Sequence, residues 1–150
     1  MTLTASLERG VLGEDATDLR SYLRALTGCP PITHTFSLRC AQHGDGGGDW
    51  FYVEADPVSG IARRRCMACA QVTAMLDSNQ HWTYPAMHAC AGCGQSLMEL
   101  AVGLHADGSG DDGQVDWLAL AARCVACGRI DGLTDVCVDR LAVRDLADLL

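Results

Sequence analysis

The second half of the chain contains Cys90-Ala91-Gly92-Cys93-Gly94, in which two cysteines stand two residues apart and glycine follows. Variants of this segment make four pairs in the chain: Cys40-x-x-His43, Cys66-x-x-Cys69, Cys90-x-x-Cys93 and Cys124-x-x-Cys127. Each pair is a short turn that presents two side chains to one ion, and four such ligands complete a tetrahedral site. The sequence therefore predicts two zinc ions per chain, one for each two consecutive pairs.

Four protein ligands fill the coordination shell of zinc and leave no position for water or substrate, which is typical of a structural site. The first site would be catalytic if His43 were not a ligand, because one position would then be open. The nearest acid, Asp45, lies in a glycine-rich turn and is poorly placed as a general base. We therefore expect two structural sites and no enzyme activity.

The nine cysteines of this 150-residue chain also permit a disulfide framework. Their odd number and their pairing at two-residue intervals argue against it, and the first 30 residues lack the pattern of a secretory signal. No run of 18 apolar residues is present, so no membrane span is expected. These features predict a cytoplasmic protein in which bound metal stabilises small modules with few aromatic residues.

The formal net charge is −8, and every basic residue is arginine. Residues 1–75 hold eight acids and seven arginines, whereas residues 76–150 hold eleven acids and four arginines. An acidic surface repels a phosphate backbone unless positive charge is gathered in one place. The balance argues against nucleic acid as a partner, most strongly for the second half.

Residues 3–26 have the pattern of two helices. Leu3, Leu7 and Val11 recur at four-residue spacing, and Asp15 or Thr17 is suited to cap a second helix. Pro30 and Pro31 prevent its continuation. We expect this segment to pack as a cap over the first metal module, and the tail from residue 139 to 150 to form a short terminal helix.

The rest of the chain is an internal repeat of strands around the ligand pairs. In each copy a short strand enters one pair, a hairpin reaches the second pair, and a third strand leaves it. The predicted strands are 36–40, 50–53, 61–65 and 71–76 in the first copy, and 87–90, 97–105, 115–123 and 134–138 in the second.

This arrangement resembles zinc ribbons, in which two ligand turns flank a β-hairpin and a third strand completes the sheet. The glycines after Cys93 and Cys127 match that pattern, whereas His43 and Ala70 depart from it. The resemblance implies a small metal-stabilised α+β fold with two tandem ribbons, an N-terminal helical cap and a short C-terminal helix. The expected domains are 1–34 (helical segment), 35–80 (first ribbon) and 81–150 (second ribbon with the terminal helix).

Several residues fall outside the eight ligands. Cys137 lies in an apolar strand and is expected to pack as a small hydrophobe, while Cys29 precedes proline. His88 is a reserve ligand because it stands two positions before Cys90. The acidic loop at 107–113 lacks the ligand pattern of a calcium site.

The function expected from these features is protein–protein interaction, as a zinc-binding adaptor or accessory subunit, with no small-molecule substrate. The resemblance to zinc ribbons favours a transcription or translation assembly. One alternative is nucleic-acid binding, in which Trp50 to Tyr52 stack bases and Arg63 to Arg65 contact phosphates. Another is a rubredoxin-like iron site for electron transfer at the second four-cysteine cluster.

Overall fold

The computed structural model describes residues 3–6, 10–26, 30–43, 48–75, 78, 82–108, 113–144 and 146. Within these residues the chain is mostly β, with one antiparallel sheet and one short helix. In chain order the elements are β1 (Thr4–Ser6), β2 (Gly10–Leu12), α1 (Ala16–Arg24), β3 (His34–Ser37), β4 (Phe51–Asp56), β5 (Ile61–Cys66), β6 (Val72–Met75), β7 (Met98–Asp107), β8 (Gln114–Cys124) and β9 (Arg129–Ala142).

The predicted α+β fold of two tandem ribbons is wrong, because the strands of both copies join one sheet. The strand order is β1-β2-β9-β8-β7-β4-β5-β6, and β3 pairs with β7 beside β4. The two copies meet where β3 pairs with β7, from His34↔Leu104 to Ser37↔Ala101, and where Phe51 of β4 pairs with Met98 of β7. A three-stranded hairpin unit has one apolar face that it cannot cover alone. Here both units bury that face in a common core that includes Val53, Leu100 and Leu120.

The hairpins themselves agree with the sequence prediction. Strands β4 and β5 pair from Phe51↔Cys66 to Asp56↔Ile61, around a turn that ends at Gly60 with φ +70°. Strands β7 and β8 pair from Met98↔Cys124 onward, and β6 and β9 add the third strands. The tip of the second hairpin, 109–112, lies outside the described residues.

The helix predicted for the first part of residues 3–26 is wrong. Strands β1 and β2 form a hairpin there, and β2 pairs with β9 through Val11↔Ile130. Gly10 has φ +72°, a conformation that glycine adopts readily and that does not belong in a right-handed helix. Leu7 lies outside the described residues, while Leu3 and Val11 pack beside α1. Strand β2 pairs with the edge of β9, and the four-residue spacing of Leu3, Leu7 and Val11 gave no indication of this pairing.

The second predicted helix is present, and Asp15 caps it. The Asp15 carboxylate accepts a hydrogen bond from the N–H of Asp18 at 3.0 Å. In return the Asp18 carboxylate accepts one from the N–H of Glu14 at 2.8 Å. The first bond satisfies a backbone donor that a helix start leaves without a partner, and the second ties the residue before the cap to the first turn.

Helix α1 packs on the second hairpin rather than capping the first metal module, so that expectation is also wrong. Leu19 and Leu23 lie in one cluster with Ala101, Ala119 and Ala121, which are small residues of β7 and β8. These alanines leave room for the helix close to the sheet. Because larger side chains alternate with them and face the other core, the helix fits only this face of the hairpin.

The helix predicted for residues 139–150 is wrong at its start, because residues 139–142 belong to strand β9. Strand β9 continues to Ala142, which pairs with Gln114, and the described residues after it, 143, 144 and 146, are in 3₁₀ conformation. Residues 147–150 lie outside the described part of the chain. No helix within the described ranges has the length and hydropathy needed to cross a membrane.

The attachment of α1 can be tested with Leu23→Ala. Leu23 is fully buried between the helix and the sheet. We expect the substitution to lower the free energy of unfolding by about 3 kcal/mol, because it removes buried methyl groups and leaves a cavity. Chemical denaturation of the metal-loaded protein measures this loss. The exposed neighbour Arg24→Gln should change it by about 0.5 kcal/mol or less, and equal effects of the two changes would contradict the packing described here.

Candidate metal centres

The structure brings the eight predicted ligands together in two groups of four. Within each group the ligand atoms all lie within 4.8 Å of one another. We call them site 1 and site 2. Site 1 consists of Cys40, His43, Cys66 and Cys69, and site 2 consists of Cys90, Cys93, Cys124 and Cys127. Each group can hold a metal ion.

The distances within each group are those of a coordination shell. In site 1 the Cys40 and Cys69 Sγ atoms are 3.6 Å apart, and Cys66 Sγ is 3.4 Å from His43 Nε2. Zinc–sulfur bonds of about 2.3 Å at tetrahedral angles place two sulfurs about 3.8 Å apart. A disulfide would bring them to about 2.05 Å, and all these cysteines are free. The donor set and its spacing therefore fit a tetrahedral, thiolate-binding ion.

Site 2 has the same geometry with four sulfurs. Cys90 Sγ is 3.5 Å from Cys127 Sγ, and Cys93 Sγ is 3.5 Å from Cys124 Sγ. Both close contacts join the first pair of ligands to the second pair. Four anionic sulfurs at this spacing repel one another strongly, so the arrangement needs a cation or protons to persist.

The backbone of each site 2 turn is closed by a hydrogen bond to the first cysteine of the pair. The N–H of Gly94 donates to Cys90 O, and the N–H of Gly128 donates to Cys124 O, both at 2.8 Å. These glycines have φ +79° and +82°. The glycine after each second ligand therefore adopts the left-handed conformation, which glycine reaches without strain. The N–H of Gly92 also donates to Cys90 Sγ at 3.3 Å.

Site 1 forms the same turn without glycine at one pair. Ala70 adopts φ +61°, and its N–H donates to Cys66 O at 2.9 Å. The left-handed conformation strains an L-residue with a side chain, so the turn is held against its local preference. At the other pair, Gly48 packs so closely that a Cβ would lie 2.7 Å from the His43 ring and 2.8 Å from Cys40 Cβ.

Without metal, hydrogen bonds lower the pKa of one thiol in each site, Cys66 or Cys90. Burial opposes ionisation of Cys66 and of Cys90, but N–H donors from their own turns outweigh it and lower each pKa to about 7. Burial, reinforced by hydrogen bonds to the other sulfurs, raises the pKa of Cys127 to about 12. Metal binding at site 2 must therefore displace a proton from Cys127, which makes the binding stronger as the pH rises.

An arginine accompanies each site. Arg64 is only 7% exposed, and its guanidinium lies 5.2 Å from the Phe51 ring. Burial lowers the pKa of Arg64, while the negative charges of Cys40 and Cys66 raise it. Beside site 2, an ion pair with Asp131 at 3.0 Å raises the pKa of Arg129, and the thiolates contribute further. Both guanidiniums therefore offset thiolate charge.

The remaining arginines of the Arg63 to Arg65 run point away from site 1. Arg63 pairs with Glu54 at 2.9 Å and lies 4.2 Å from the centre of the Trp82 ring. Arg65 is exposed, with its guanidinium 5.2 Å from the Tyr52 ring. Arg63 and Arg65 thus lie on one face of β5, and the buried Arg64 lies on the other. Trp82 was not anticipated from the sequence, because no pattern linked it to β5.

Other residues considered from the sequence lie apart from the two groups. Cys137 is exposed on β9, so the expectation that it packs as a small hydrophobe is wrong. The backbone N–H of the half-buried His88 donates to Val53 O at 2.8 Å. Neither belongs to a ligand group. Cys29 and Asp45 lie outside the described residues. Sequence reasoning missed Arg129, although its position directly after the Cys124 to Gly128 turn was a usable signal.

Comparison with known proteins gave no relative: no protein-family model, no curated protein and no solved structure matches this chain. The assignment of the two groups as metal sites therefore rests on their geometry.

Metal content should follow the two groups. We expect two divalent ions per wild-type chain, one after Cys69→Ser or Cys127→Ser, and none after both, because three ligands hold such an ion much less tightly than four. Native mass spectrometry of the folded protein counts the ions. Cys137→Ser is the matched control and should retain two. Two ions in the double variant would show that the ligands are assigned wrongly.

The glycines of site 2 offer a second test, because they share one backbone conformation but not their surroundings. Nothing lies within 4 Å of a Cβ added at Gly94, whereas one added at Gly128 would lie 2.6 Å from Gly13 O. Gly94→Ala should cost about 1 kcal/mol from its backbone conformation alone. Gly128→Ala should cost more, because the N-terminal segment must move away. Similar unfolding midpoints for the two metal-loaded variants would refute that close approach.

Proposed function

We propose that this chain is a non-catalytic zinc protein in which two structural zinc ions stabilise a surface that binds a protein partner. The observation that carries the proposal is the closure of both sites. Each offers four thiolate or imidazole ligands to one ion, and zinc with four protein ligands has no open position for a reacting group.

The position of the sites in the sheet supports a structural role. Site 1 connects the segment after β3 to the end of β5 through Cys40 and Cys66. Site 2 connects the segment before β7 to the end of β8 through Cys90 and Cys124. Each ion would close a long loop of chain and hold a hairpin in register, which stabilises folds with small cores.

A groove between α1 and the sheet does not resemble a catalytic pocket. Its volume is about 340 Å³, and Leu23, Leu26, Trp117 and Leu133 are among its lining residues. Asp135 is the one carboxylate that lines it within the described part of the chain, and this group accepts a hydrogen bond from the Trp117 indole at 3.3 Å. No nucleophile and base converge there among those residues.

Exposed apolar side chains around the first hairpin support a protein partner. They belong to residues on or beside β4, β5 and β6, where soluble proteins usually present polar groups. These exposed residues are Trp50, Met67, Val72, Tyr84 and Met87. Interfaces between proteins are enriched in aromatic residues, methionine and arginine, all of which occur on this surface.

The charges of the same surface support protein rather than nucleic acid. Glu54 neutralises Arg63, and Arg64 is buried beside site 1, which leaves Arg65 as the exposed arginine of the run. Binding of a nucleic-acid strand needs several phosphate contacts. We place the protein in a transcription or translation assembly only by its resemblance to zinc ribbons.

The proposal is tested on the tagged protein produced in its own host. Elemental analysis should find two zinc ions per chain, and chemical cross-linking should join the chain to a protein in stoichiometric amount. A nuclease-sensitive complex without protein would overturn the partner assignment. A red, iron-loaded protein with a reversible potential would overturn the structural role and indicate electron transfer instead.

A further inference from the structure

Among the strands that the structure describes, β6 is the last at one end of the sheet, and some of its backbone groups point away from β5. The N–H of Cys66 donates to Gln71 O at 3.0 Å, so this pair faces inward between β5 and β6. Hydrogen-bonded and non-bonded pairs alternate in antiparallel strands. In the register Arg65↔Val72 and Arg63↔Ala74, Val72 and Ala74 therefore direct their N–H and C=O groups away from β5.

The direction of these groups is confirmed from the other side of β5. The N–H of His88 donates to Val53 O at 2.8 Å, so Val53 turns its backbone away from its partner Arg64. Arg64 accordingly directs its own backbone groups towards β6, opposite Thr73. Among the described residues, no strand pairs with the outer edge of β6. The Gln71 side chain donates to Val72 O there, at 3.4 Å.

The edge also lacks the usual features that prevent pairing with other chains. Natural edge strands carry lysine, proline, inward-pointing charges or bulges for this purpose. The segment from Val72 to Met75 is neutral, contains no proline and pairs with β5 without a bulge. Val72 is 49% exposed. An edge of this kind is suited to receive an added strand.

The face of the sheet beside this edge carries two rows of cross-strand neighbours. One row is Tyr52, Arg65 and Val72, and the other is Glu54, Arg63 and Ala74. Met87 extends the second row through its bridge to Glu54. All of these residues except Ala74 line a shallow cavity of about 160 Å³. Side chains of an added strand would continue the same two rows.

The charge on this face favours an acidic segment. Within the described residues Arg65 contacts no carboxylate, whereas Glu54 engages Arg63. An added strand would lie two strand spacings from β5, about 10 Å between backbones. The side chains of arginine and glutamate together span that distance. A carboxylate opposite Val72 would therefore meet Arg65.

The charge of the whole chain restricts where such a segment can bind. Residues 34–75 hold four arginines and four acids, whereas residues 76–150 hold four arginines and eleven acids. The second half repels an acidic segment, and the first hairpin does not. A second copy of this chain is less suitable at the edge, because pairing two β6 strands would bring together chains of net charge −8.

We propose that the edge of β6 binds an extended, acidic segment of a partner protein as an additional strand, with its carboxylates on the face of Arg65. This inference rests on the proposed function and names the class of partner. Backbone hydrogen bonds to Val72 and Ala74 supply affinity, and Arg65 supplies selectivity for negative charge.

The probe is a nine-residue peptide in which glutamate and valine alternate, added to the ¹⁵N-labelled, zinc-loaded protein. We expect the amide resonances of Val72 and Ala74 to shift and their hydrogen exchange to slow at least tenfold. The amide of Thr73, which already faces β5, should change less. A peptide with lysine in place of glutamate should bind at least tenfold more weakly.

Two variants separate the contributions of backbone and charge. Ala74→Pro removes an outward N–H and leaves the β5–β6 hydrogen bonds in place, and Arg65→Glu leaves the backbone unchanged. Each should weaken peptide binding at least tenfold while two zinc ions remain bound. Arg24→Glu, on the exposed side of α1, is the matched control for charge and should bind as the wild type does.

The proposal is overturned if the peptide leaves Val72 and Ala74 unchanged, or if Ala74→Pro and Arg65→Glu both bind normally. It is also overturned if the lysine peptide, or a ten-nucleotide oligo(dT), binds this edge better than the glutamate peptide. These results differ from a failure of the proposed function. A cross-linked protein partner that still binds Ala74→Pro would preserve that function and exclude only this edge.

Discussion

Four short turns converge in two pairs, and this convergence sets the register of both hairpins. Each pair of turns brings sulfurs or an imidazole from distant parts of the chain to about 3.5 Å, as between Cys93 and Cys124. That approach requires the strands leading into the turns to align, and Met98 pairs with Cys124 in the first register position of β7 and β8. The ligands can therefore reach one ion only when the hairpin strands pair in this register. A bound cation makes this arrangement favourable, because it removes the repulsion among the thiolates.

The same thiolates explain why the chain tolerates an arginine in its interior. Burying a guanidinium is costly unless negative charge lies close to it. Arg64 lies near Cys40 and Cys66, and its ring contact with Phe51 supplies further stabilisation. Its neighbours on β5 alternate outward, where Arg63 meets Glu54 and Arg65 remains exposed. The three consecutive arginines thus have three different physical roles, set by the alternation of the strand.

Because four protein ligands leave no open position on a zinc ion, we infer that the function of the chain lies on the surfaces that the two sites support. Site 1 holds β5 next to the last described strand, β6, which is neutral and has no partner on its outer edge among the described residues. The second half of the sheet is covered by α1 on one face and carries most of the excess negative charge. The two halves of the chain therefore present different surfaces, although they repeat one pattern of strands and ligands.

The local features could be predicted from the sequence: the eight ligand residues, their grouping by fours, the hairpins and the cap of α1 at Asp15. Each depends on residues close together in the chain, so spacing and turn chemistry were sufficient to predict it. The tertiary structure alone decided that both hairpin units share one sheet, that residues 4–12 form strands, and that α1 covers the second hairpin. These depend on partners far apart in sequence, such as Val11 with Ile130 and Phe51 with Met98. Local periodicity cannot distinguish such pairings, because the apolar face of a hairpin is compatible with many partners and only packing selects one.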